Sequence, residues 1–99
     1  EIVVSKADLR TGLSIISIRN AGNTRIDDIL RASLDCESRS IELDKSMFKL
    51  PIEKGGESTV VIDLSILKSG ELCRISVEAV TETGEKVATS IGLIAVRSL

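Results

Sequence analysis

Apolar and polar residues alternate with a period of two along much of this chain. The stretch Gly70–Thr81 shows it most cleanly, with Cys73, Ile75, Val77 and Ala79 on one side and Arg74, Ser76 and Glu78 on the other. That period predicts a strand with one buried and one wet face. Gly70 opens it, and Thr81-Glu-Thr-Gly-Glu85 closes it with a turn composition. A second strand-like run, Lys86–Arg97, follows at once, so the two are expected to form a hairpin.

The same reading extends to the rest of the chain. Glu1–Asp8 reads as a first strand, and its unbroken run Ile2-Val3-Val4 suits a strand covered on both faces or lying at a seam. Arg10-Thr-Gly12 turns into a second strand, Leu13–Asn20, whose apolar phase slips at Ile15-Ile16. A slip of that kind fits a β-bulge or two-sided burial. Asn20-Ala-Gly-Asn-Thr24 is a turn, since Asn and Gly tolerate positive φ.

Residues 24–34 carry two patterns. Ile26, Ile29, Leu30, Ser33 and Leu34 have helical spacing, with Thr24 or Asp27 as a cap. Leu30, Ala32, Leu34 and Cys36 also alternate as a strand would. A strand over Ile29–Glu37 is preferred, because a lone helix would need its own seat on a very small core.

Ser40–Asp44 reads as a short strand, and Met47, Phe48 and Leu50 as a core plug beneath a loop. Pro51 suits an edge or strand end, having no N–H to give a ladder. Glu53–Glu57 is a turn, Ser58–Leu64 a strand with Val60, Ile62 and Leu64 inward, and Ser65–Ser69 a connection. The predicted core comprises Ile75, Val77, Val60, Ile62, Leu30 and Leu34. About seven short strands punctuated by turns predict an all-β chain, an immunoglobulin-like β-sandwich of antiparallel strands in one domain over 1–99.

Composition narrows the function. Hydrophobic residues make up 42%, nearly all aliphatic, and Phe48 is the single aromatic. A stacking platform for bases or sugars needs aromatic faces. With a net charge of −2 and no basic stripe, nucleic acid is not an expected partner. No window approaches a membrane span and no signal peptide opens the chain. The start at Glu1-Ile-Val-Val, without Met, is read as that of an excised domain whose N-terminal part, an anchor among the options, is missing.

Candidate chemistry is sparse. The chain has no His, which removes Ser-His-Asp and Cys-His pairs and the common zinc sets. Gly55-Gly56 lacks the Gly-Lys-Ser/Thr ending of a phosphate loop. Asp27 and Asp28, or Glu42 and Asp44, could act as acid–base pairs, but their positions imply solvated strand faces and turn caps instead. Asn20, Asn23, Asp27 and Asp28 are rich in oxygen without the spacing of a calcium loop. No cofactor, metal, catalytic residue or small-molecule substrate is therefore expected.

Cys36 and Cys73 both fall on inward positions. In an immunoglobulin-like topology the third and sixth strands are antiparallel neighbours, so the end of one meets the start of the other. A disulfide between them is the favoured reading, and it would imply an oxidising location or a hyperthermophilic source. The alternative is two reduced cysteines acting as small apolar residues.

The string Leu13-Ser-Ile-Ile-Ser-Ile-Arg-Asn-Ala-Gly-Asn-Thr24 resembles the strand followed by Asn-x-Gly-x-Thr of archaeal type IV pilin-like proteins, and Ser69–Thr81 resembles their glycine turn and following strand. That class includes archaellins, adhesive pilins and archaellum stator subunits. The resemblance implies an immunoglobulin-like soluble domain behind an N-terminal hydrophobic helix, membrane-anchored in the full-length protein and exposed in the pseudoperiplasmic cell envelope. It implies a non-enzymatic domain that binds protein neighbours, an S-layer lattice or a sister subunit. The absence of any Asn-x-Ser/Thr sequon favours a stator or accessory subunit. Leu50–Val60 is similar to adhesion-type immunoglobulin-like modules of prokaryotic surface proteins, which makes an adhesion or spacer module the alternative.

The terminal strands supply a candidate interaction surface. Ile2, Val3 and Val4, with Leu93, Ile94 and Val96, are apolar on both strand faces. Side by side at a sheet edge, they would contact the missing N-terminal segment, a second copy or a surface-layer protein. The other option is that a bulge buries both faces within one domain.

Overall fold

The computed structural model of the chain describes residues 1–9, 13–63 and 70–94. Seven strands run in chain order: β1 (Ile2–Asp8), β2 (Leu13–Asn20), β3 (Ile26–Cys36), β4 (Ser40–Glu42), β5 (Glu57–Asp63), β6 (Leu72–Thr81) and β7 (Lys86–Ile94). A 3-10 turn, Lys45–Met47, lies between β4 and β5. The strands form two antiparallel sheets in the orders β1-β2-β5 and β4-β3-β6-β7. Their inner faces close on one core that includes Ile16, Ile18, Leu34, Val60, Ile75 and Val77. The chain is thus an all-β sandwich, as its alternation predicts. The expected turn at 10–12, the connection at 65–69, Leu64 and Val96 lie outside the described residues.

β6 is the spine of the larger sheet. Cys73, Ile75, Val77, Ala79 and Thr81 are all buried, in the phase read from the sequence. The hairpin to β7 closes through Thr81, whose N–H donates to the Glu85 carbonyl at 2.9 Å while its own carbonyl accepts from Gly84 N–H. Gly84 sits at φ +86°, the left-handed conformation that ends a three-residue hairpin loop.

Three expectations need correction, and one open alternative is decided. In β3, Leu30 is 46% exposed rather than buried, because register shifts fall between Ile26 and Asp28 and again between Ile29 and Arg31. Each shift inserts one unmatched residue, so the inward set becomes Ile26, Ile29, Ala32 and Leu34, and Leu30 is turned out. In β2 the slip at Ile15-Ile16 is two-sided burial, the second of the two readings, and not a bulge. Its register with β5 is continuous, Ile16 is buried on the inner face and Ile15 half-buried on the outer, and the shift on its other side lies on β1 between Val4 and Lys6, facing Ser17-Ile18. Met47 is exposed, so the plug beneath the loop is Phe48, with Leu50 packed partly against the core. Ile62, expected to be buried, is half-buried.

Candidate interaction surface

Several of the polar residues singled out in the sequence have structural partners. Asn20 is fully buried: its Nδ2 donates to the carbonyls of Thr24 (2.7 Å) and Ile52 (3.0 Å), and its Oδ1 accepts from Gly22 N–H (3.0 Å). At Gly22 the chain passes so close to the Glu1 backbone that a Cβ would overlap it, and Gly22 N–H donates to the Glu1 carbonyl. The Asn-x-Gly-x-Thr element therefore clamps the end of β2 to the start of β1 and to Ile52. Asp27 pairs with Arg25 at 2.7 Å, and the hydrogen bond raises the Arg25 pKa above its ordinary value. Asp28 accepts from Ile29 N–H and lies 3.7 Å from Lys45 Nζ. Among the described residues no group of three or more Asp, Glu, Cys or His side chains could hold a metal ion.

Two depressions lie on the larger sheet's outer face. One, of about 510 Å³, is lined by Arg31, Ser33, Asp35, Ser76, Glu78 and Ser90, among others. The other, of about 480 Å³, lies over Cys36, Cys73, Leu72 and Ile94. Both are shallow and open, unlike the enclosed, apolar cavities that strip a small ligand of its water. They suit contact with a broad surface better than capture of a small molecule.

Cys36 and Cys73 are directly opposite in the β3–β6 ladder and form a disulfide, 37 positions apart in sequence. It staples neighbouring strands of one sheet. Beside it, Glu71 is buried and accepts from Ser38 N–H in the loop after β3.

The terminal strands are placed differently from the sequence expectation. β1 is an edge of one sheet and β7 an edge of the other, and they adjoin across the open side of the sandwich without forming a ladder. Ile2 is a core residue and drops out of the surface set. Val3, Val4 and Leu93 are half-buried, and Ile94 is 58% exposed. Ile94 stands opposite Leu72, itself 56% exposed, on the outer face next to the disulfide. Sequence reasoning passed over Leu72, although its phase gave the signal: it shares the outward register of Arg74, Ser76 and Glu78.

Fold and surface together define a two-sheet β domain whose exposed features are edges and shallow faces. No family model matches the chain, and no curated protein matches its sequence. Among solved structures it is similar to a chain of the archaellum periplasmic stator protein complex FlaF and FlaG from Sulfolobus acidocaldarius. The likeness covers 91% of this chain and 87% of that one, with a TM-score of 0.61 and 15% sequence identity. At that identity it is a likeness of fold.

Proposed function

We propose that this chain is a non-enzymatic protein-interaction domain of an archaellum- or type IV pilus-like assembly, held in the cell envelope and engaging sister subunits or a surface layer. The observation that carries the reading is the fold shared, over nearly the full length of both chains, with a stator protein that is itself part of a two-protein complex. Two other features support it. The resemblance of Leu13–Thr24 to pilin-like sequences points to the same class independently of the fold. The strand order β1-β2-β5 and β4-β3-β6-β7, with the third strand beside the sixth, suits an immunoglobulin-like sandwich.

The test is co-sedimentation of the purified domain with isolated surface-layer lattice, and co-purification with its sister subunit from the native envelope. Specific, saturable binding to either is expected. Binding to neither, with the domain folded, would remove the reading. The elongated outline, 42 × 20 × 20 Å, favours a second reading as a spacer or adhesion module of a larger surface protein. The precursor separates the two: a class-III signal and one hydrophobic helix before Glu1 belong to the first, flanking repeats to the second.

A further inference from the structure

The four sheet edges of this sandwich are not equally protected. Natural edges are blunted by shortness, bulges, charges or proline, because an open row of N–H and C=O groups invites another strand. β4 has only three residues. β1 carries a register shift and Lys6 near its middle. β5 has acidic residues at both ends, Glu57 and Asp63. β7 is the least protected: its one charge is Lys86 at the first position, nine residues pair with β6 in unbroken register, and Val87–Ile94 holds neither charge nor proline.

The ladder determines which groups face the open side. Thr81 N–H bonds to the Glu85 carbonyl, so odd-numbered residues of this hairpin turn their backbone groups toward each other. Ala88, Ser90 and Gly92 consequently aim N–H and C=O away from β6, where no strand pairs with them among the described residues. On the inner face, Val87, Ile91 and Leu93 are only half-buried, so β7 leaves apolar surface exposed at the same edge.

We infer that β7 pairs antiparallel with β7 of a second copy of this chain, about a two-fold axis at Ser90, joining two four-stranded sheets into one of eight. The inference takes up the interaction role proposed above, rests on it, and names one partner. Ser90 is the midpoint of Lys86–Ile94, so this register overlaps the whole strand. It sets Val87 opposite the partner copy's Leu93, Thr89 opposite Ile91, and Ala88 opposite Gly92. Apolar inner positions meet apolar or β-branched ones, and small outer positions meet small ones. Lys86 falls opposite Ile94, whose exposed side chain its aliphatic stem can cover. No two like charges are opposed, and a symmetric pairing closes at two copies.

Cross-linking reads the register directly. Residues of a hydrogen-bonded antiparallel pair have Cα atoms roughly 5.5 Å apart, within disulfide reach, whereas four residues of offset separates them by roughly 13 Å. Ser90→Cys alone is expected to give an oxidised dimer. Ala88→Cys and Gly92→Cys should each stay monomeric alone and cross-link when mixed. Sedimentation equilibrium of the unmodified chain should show the mass rising from 10.6 kDa toward twice that with concentration. Ser90→Lys, solvent-exposed in one copy, brings two ammonium groups together only in the pair and should weaken association at least tenfold. Circular dichroism and melting confirm that each variant is folded. A chain that stays monomeric at millimolar concentration, or variants that cross-link equally at all three positions, would overturn the inference. That result leaves the proposed function to its own test of lattice and sister-subunit binding. Loss of that binding with β7 pairing intact would remove the function and keep the dimer.

Discussion

At Asn20, backbone groups of Gly22 and Thr24 in the following turn and of Ile52 across the fold converge on one buried amide. Asn20→Ala would break all three bonds; Gly22 N–H keeps the Glu1 carbonyl and the Ile52 carbonyl keeps Ile26 N–H, so the penalty falls chiefly on the Thr24 carbonyl, and a buried group left unsatisfied costs about 1–3 kcal/mol. A loss of about 1–3 kcal/mol in urea denaturation is expected. Asn20→Asp should do no better, because it replaces two donors with an oxygen facing two carbonyl oxygens. A loss below about 0.5 kcal/mol for either would show that the clamp is not formed. The same scale tests the register. Val77 is 2% exposed and Val61 56%. Val77→Ala should cost about 1–3 kcal/mol through lost burial and the cavity left behind, and Val61→Ala distinctly less. Equal losses would mean that β5 or β6 presents its other face.

Among the elements, β3 shows most sharply what alternation can and cannot tell. Its inward residues, Ile26, Ile29 and Ala32, are spaced by three before Leu34 restores the step of two. A helix would bury that same i, i+3 spacing, so two bulges made a strand resemble a helix in sequence. The pattern located the strand but not the extra residues, because a bulge is a property of the pairing with β6 and has no local signature here. β6, unbulged and flanked by glycine and a turn, was legible in phase along its whole length, though it starts at Leu72 and not at Gly70. Leu72 and the open edge of β7 were legible only in part: phase shows which side chains face out, whereas strand order decides which edge is left open. The bulges predict a reversal of the simple reading. Leu30→Ser should change stability by less than about 0.5 kcal/mol, and Ile29→Ala should cost about 2–4 kcal/mol. A larger loss at Leu30 would return it to the core. The 3-10 turn adds a test in pH. Asp44 caps it by accepting from Ser46 N–H at 2.9 Å, and that bond holds the carboxyl below its ordinary value. A lowered folded-state pKa means the contribution is complete above the unfolded value and is lost as pH falls through the folded one. An NMR titration of Asp44 with a midpoint at or above that of a model aspartate would show that the cap is not made.

For the molecule as a whole, the two sheets are held by different means. The smaller sheet, β1-β2-β5, relies on the clamp at Asn20 and on its aliphatic inner face, and the larger is stapled across its central pair by Cys36–Cys73. The inward phase of both cysteines and their places at facing strand ends were readable from the sequence; their adjacency depends on β3 lying beside β6, which belongs to the topology. The disulfide closes a loop of 37 residues that contains β4, the 3-10 turn and β5, so it ties a strand of the smaller sheet into the constrained segment. In the chain-entropy account a loop of this length stabilises by about 3–4 kcal/mol, most of it by restricting the unfolded chain. Native protein never exposed to reductant should show no reactive thiol under denaturing conditions, and two reactive thiols would sink the bond. Reduction should lower the urea midpoint while the far-ultraviolet β signal persists in buffer, because Cys73 remains in a ladder with Leu93 on its other side. The slope of the transition should steepen, since a longer free chain exposes more surface when it unfolds. A midpoint unmoved by reduction, with both thiols titrated, would mean that pairing between β3 and β6 holds the sheet without the staple.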